Sequence, residues 1–156
     1  MSVVFRRSAM SAMVGLIGMA IGAAGSRAAP PSVYGFWLTD DADAIVEILP
    51  CSANNPCGRI VWMREQGPDI RDVKNPDAKL RSRPICGLDL LGGFQTNGSG
   101  WVNGWLYHPD EGKTYKEVSL TVRSAGTALT VSVGGGFFSS SETWKRVDAP
   151  STRCGR

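Results

Sequence analysis

Apolar and polar residues alternate with a period of two over most of the chain beyond residue 33, most clearly in WVNGWLYHPDEGKTY, Trp101 to Tyr115. Trp101, Asn103, Trp105 and Tyr107 fall on one face of an extended segment, with Val102, Gly104 and Leu106 on the other. His108, Pro109, Asp110, Glu111 and Gly112 then fix φ, bond their own backbone or accept positive φ, and alternation resumes over Thr114 to Val122. This pattern predicts a β-hairpin. Applied to the rest of the chain, it predicts eight strands: Tyr34 to Thr39, Ala44 to Leu49, Gly58 to Arg64, Ile85 to Phe94, Trp101 to Tyr107, Thr114 to Val122, Ala128 to Val133 and Phe137 to Val147. The links are mostly short and rich in Asp, Asn, Gly and Pro, which makes successive strands antiparallel neighbours.

Gln66 to Arg83 is the exception. It carries Pro68 and Pro76, charges of both signs and few apolar side chains, with room for one helical turn near Asn75 to Leu80 capped by Asn75. A loop of that length is a candidate lid or partner-contact surface, or else a solvated crossover.

Eight antiparallel strands in a meander can stack as two sheets or close on themselves, and closure leaves no exposed edge. The expected fold is therefore all-β, an eight-stranded antiparallel up-and-down barrel whose interior is filled by side chains or holds one small ligand. Closure requires the first and last strands to pair, bringing Gly35-Phe36-Trp37 beside Trp144-Lys145-Arg146. Arg146 lying on the Trp37 ring would seal that end.

Composition changes the picture chiefly at the N-terminus. Arg6 and Arg7 precede an uncharged apolar run from Met10 to Ala24, and Gly25 to Ala29 offers small residues for cleavage. This is the layout of a secretory signal peptide, so the expected organisation is 1–29 signal peptide and 30–156 a single barrel domain. The apolar run is short for a membrane span, and stable membrane insertion is not expected. The paired arginines raise twin-arginine export, but the apolar block lies too far downstream, and ordinary secretion fits better. The formal +3 is accounted for by Arg6, Arg7 and Arg27. The remainder is neutral and has no electrostatic reason to prefer nucleic acid or anionic lipid unless its charges segregate by face.

Cys51, Cys57, Cys86 and Cys154 all fall in the part expected to be exported, where disulfides are the default. Cys51 and Cys57 flank a polar loop and would close a small ring, leaving Cys86 for Cys154. That second bridge would span a long loop, stabilising by about 4 kcal/mol in the chain-entropy model. Cys-x5-Cys is poor zinc spacing, and His108 is the chain's single histidine, so no metal site is expected. His108, Asp110 and Glu111 lie together in one turn without convergent partners, no serine sits in a nucleophile elbow, and no motif calls for a cofactor. No catalytic residue is expected. The rings Trp62, Trp101, Trp105, Tyr107 and Tyr115 are the candidate ligand lining, with Lys116 or Arg59 as rim charges, although the same rings would serve equally as core.

GFW at 35–37, LPC followed by CGRIVWMR at 49–64, NPD at 75–77, PICGLDLLGGF at 84–94, GWLYHPDEGKTY at 104–115 and TWKRV at 143–147 together resemble the DUF2147 family of small exported bacterial proteins. The resemblance covers nearly all of the expected mature chain. It implies a lipocalin-like barrel, because the Gly-x-Trp start and late arginine also resemble the calycin closing pair, and it brings no agreed substrate. FFSSSE at 137–142 departs from the family pattern, and Cys86 and Cys154 resemble additions to it. The expected function is non-enzymatic binding of a small apolar or amphipathic molecule. The alternative is an envelope interaction protein, such as a hydrolase inhibitor, acting through exposed loops including 66–83 and 108–113.

Overall fold

The computed structural model describes residues 31–65, 67, 70–135 and 139–154, so the signal-peptide expectation lies outside the described residues. Among the described residues nine strands form one antiparallel sheet: β1 (Gly35–Leu38), β2 (Ala44–Pro50), β3 (Pro56–Met63), β4 (Asp89–Gly92), β5 (Gln95–Thr96), β6 (Trp101–His108), β7 (Lys113–Arg123), β8 (Ala128–Val133) and β9 (Ser140–Val147). The order is β4-β3-β2-β1-β9-β8-β7-β6-β5, and a further β4–β6 pairing closes the circle. β4 and β5 both pair with β6 and together occupy one staff, giving an eight-stranded barrel with one staff broken.

That break falls within the strand predicted over Ile85 to Phe94. Gly87 and Gly93 have positive φ, and Leu88 N–H bonds Ile85 O, so Ile85 to Leu88 is a turn entering the barrel. The first and last strands pair in register, Phe36 with Val147, Trp37 with Arg146 and Leu38 with Lys145.

Inward residues follow the two-residue period: Val46 and Ile48 on β2, Val118 and Leu120 on β7, Leu129 and Val131 on β8, with Trp37, Leu91 and Trp144 between them. Among the described residues Trp37, Trp144 and Phe94 are the largest fully buried side chains. Phe94 has space only because β6 carries Gly104 opposite it; a Cβ there would lie 2.2 Å from the Phe94 ring.

The β1–β2 and β6–β7 turns gather at one end, the mouth, together with the strand ends at Val133 and Ser140. The other end is shut by Arg146. Its guanidinium lies 4.1 Å from the Trp37 ring centroid and donates to the carbonyls of Ser32, Tyr34 and Gly126. Burial pulls that guanidinium below its ordinary pKa. Cys51 is bonded to Cys57 and Cys86 to Cys154. The second bridge ties the tail across the outside of the barrel, where Arg153 lies over Phe36 and beside Glu47, and Cys154 N–H bonds Val61 O.

Candidate functional site

The long crossover is a strap pinned to the barrel beside the mouth. An Arg71–Pro84 bridge and the Asp72 N–H to Arg83 O bond close its base. Its short helical turn, Ala78–Leu80, is capped by Asp77, whose carboxylate accepts from Lys79 N–H; Asn75 instead accepts from Asp77 N–H. Asp72, fully buried, forms the pin. It accepts from Tyr107 Oη at 2.5 Å, Asn75 Nδ2 at 2.7 Å and Arg83 Nε at 2.9 Å, and it pairs with Arg83 Nη2 at 2.8 Å. Burial alone would raise the Asp72 pKa, but those three hydrogen bonds and the Arg83 charge bring it below 3.8. Tyr107 moves the other way, raised by burial and by its bond to Asp72. Gly112 lets the strap seat against the β6–β7 turn, because a Cβ at Gly112 would lie 1.8 Å from Lys74 O.

Beside this pin the mouth holds a cavity of about 110 Å³. Its floor is apolar: Ala44, Ile60, Ile85, Leu90, Leu106 and Trp144. Its rim carries Asp40, Asp41 and Asp43 from the β1–β2 turn, His108 and Asp110 from the β6–β7 turn, and Glu142 from β9. Thr39 Oγ1 donates to Asp43 at 2.6 Å and Trp144 Nε1 to Glu142 at 3.0 Å. His108 Nδ1 is buried and has no hydrogen-bond partner among the described residues.

The five candidate rings do not converge here; only Tyr107 lines the cavity. Trp101 pairs with inward Leu120, and Tyr115 pairs with Leu106 and donates to Glu111, so these two rings belong to the inner face. Trp105 lies against Gly92 and Gly93, and Trp62 pairs with Ile45, on the outer side. Asn103 and Glu117 explain why Trp101 and Trp105 part. Both have positive φ and mark register shifts in the β6–β7 pairing, so counting by twos from Trp101 crosses to the wrong face before Trp105. Arg59 pairs with Glu47, and neither Arg59 nor Lys116 lines the cavity.

Sequence reasoning passed over Trp144, Glu142 and the three turn aspartates as site residues. The available signal was the placement of Glu142, Trp144 and Arg146 on a single face of the last strand.

A family profile matches residues 35–146, most of the chain. The chain belongs to the DUF2147 family. DUF2147 is described as uncharacterized protein conserved in bacteria, and its match runs from Gly35 at the start of β1 to Arg146 in β9. Among solved structures, this DUF2147 chain is similar to protein HP1028 from the human pathogen Helicobacter pylori, which belongs to the lipocalin family. The TM-score is 0.65 at 22% identity, covering 76% of this chain and 84% of that one. At that identity the likeness establishes the barrel fold. No curated protein matches the DUF2147 chain.

Proposed function

We propose that the chain is an exported, non-enzymatic binding protein that takes the apolar end of a small amphipathic molecule into its mouth. The observation that carries this reading is the apolar floor beneath a polar rim at the mouth. A cavity of about 110 Å³ is well under the ~300 Å³ of pockets that enclose whole ligands, so the occupant inserts one small group and leaves its polar part at the rim. The two disulfides favour an oxidising compartment, which supports export.

The loop-mediated reading keeps its own support. The barrel interior is largely packed, and the exposed large hydrophobics among the described residues, Val73 and Leu80, both lie on the strap. Native mass spectrometry of protein purified from its own host separates the two. Carriage expects a small-molecule adduct lost on denaturation; a stoichiometric protein partner without an adduct would overturn it in favour of the envelope interaction protein.

A further inference from the structure

We propose that the strap docks on an anionic lipid surface and so sets the mouth beside a membrane. The proposal holds whatever the mouth carries. From Arg71 to Pro84 every residue is exposed except Asp72, Asn75 and Arg83, the strap's share of the pin. The strap therefore stands out from the barrel as a knob held by its buried underside. Val73, 65% exposed, and Leu80, 39% exposed, are the exposed large hydrophobics among the described residues, and both lie on this knob. Their segments are tied together there, because Asp72 N–H bonds Arg83 O and Arg83 N–H bonds Leu80 O.

Charge points to the partner. Val73 precedes Lys74, and Leu80 lies between Lys79 and Arg81. Arg71, Lys74, Lys79 and Arg81 are all exposed, and none is in an ion pair among the described residues. Arg71 Nη1 donates to Ser82 O, Lys74 Nζ to Asp110 O and Arg81 Nε to Asn75 O, neutral carbonyls that orient the cations without cancelling them. Lys79 Nζ has no partner among the described residues. Of the two acids between residues 70 and 83, Asp72 is neutralised by Arg83 and Asp77 caps the helical turn. Arg71, Lys74, Lys79, Arg81 and Arg83 thus stand against Asp72 and Asp77, whereas the chain beyond residue 29 is neutral as a whole.

Uncompensated cations beside exposed aliphatic side chains are what a protein uses to rest on a bilayer. The charges are drawn to anionic headgroups while the aliphatic tips enter the boundary below them. A folded acidic partner fits less well, because residues 70–83 line neither the mouth cavity nor the recess beside Cys51 and Cys57, and so offer no pocket for a partner's anchor. A deformable surface needs none. The carboxylates around the mouth keep the mouth itself from lying flat on such a surface, so the knob makes the contact.

The test is co-sedimentation of protein purified from its own host with vesicles of phosphatidylcholine alone, or of phosphatidylcholine with about one-third phosphatidylglycerol. Binding to the anionic vesicles is expected to be at least about tenfold stronger at low salt, since each basic residue near such a surface is worth roughly fivefold. The ratio should fall toward one as salt rises to about 1 M, where the screening length is ~3 Å. Lys79→Glu changes the knob by two charges and should weaken anionic binding about twentyfold. Val73→Ser with Leu80→Ser should weaken it about tenfold. All three positions are exposed, so the melting midpoints should match wild type. Equal binding to both vesicle types, or binding to neither, would overturn the proposal. Anionic binding that survives both variants unchanged would overturn the strap as the contact. Retention on polyglutamate without binding to vesicles would overturn the proposal in favour of an acidic protein partner.

Discussion

Replacing Arg146 by Ala is expected to destabilise the protein by about 3 kcal/mol, roughly 10 °C in melting midpoint for a domain of this size. The guanidinium does two things at once. It covers the Trp37 ring, whose own Nε1 is bonded to Val33 O at 2.8 Å, and it supplies donors to three backbone carbonyls that the strands leave unpaired at the closed end. Alanine removes the ring contact and strands those acceptors near a buried indole. Lysine keeps the charge but not the planar fork, so Arg146→Lys should recover less than half of the loss. Gly35→Ala tests the same contact from the other strand. Gly35 has φ +132°, and a Cβ there would sit 2.5 Å from Arg146 Nη1. Thermal unfolding of the three variants checks the set, and unchanged midpoints would remove Arg146 as the seal.

Asp72→Ala should cost a similar amount, about 3 kcal/mol, because it leaves Arg83, the Tyr107 hydroxyl and the Asn75 amide facing an empty acceptor position. The loss should concentrate in the strap, so amide exchange over residues 70–85 should accelerate more than exchange in β7 or β8. The pH dependence has a definite sign. The Asp72 folded-state pKa lies below its ordinary 3.8, so its stabilisation is complete above that value and disappears as pH falls through the folded-state value. Wild type and Asp72→Ala should therefore differ fully at neutral pH and converge in strong acid. A gap between them that stays constant down to strong acid would mean that the carboxylate charge is not what holds the strap.

Much of the barrel was legible because its physics is local. A side-chain period of two, with turn residues at each break, marks the strands and their antiparallel order. A closed sheet then requires its ends to meet, which brings Trp37 beside Arg146. The site was less legible because it is assembled from turns far apart in sequence. Asp40, Asp41 and Asp43 serve as turn residues in their own loop, and only closure of the barrel sets them across from Asp110 and Glu142. The division of the candidate rings between the two faces was hidden for a different reason. The bulges at Asn103 and Glu117 each insert one residue, and a single-residue offset moves every later side chain to the opposite face. Tyr107 lines the cavity and also holds the strap, since its hydroxyl is bonded to Asp72 and Asn75. No local pattern links positions 72 and 107.

The most direct test of the account is an NMR titration of isotopically labelled protein with the small-molecule fraction of its host's envelope. The expected result is shift changes centred on Ile60, Leu90, Leu106 and the Trp144 indole, the floor of the mouth cavity. Shifts confined to the strap around Val73 and Leu80, with the floor unmoved, would contradict it.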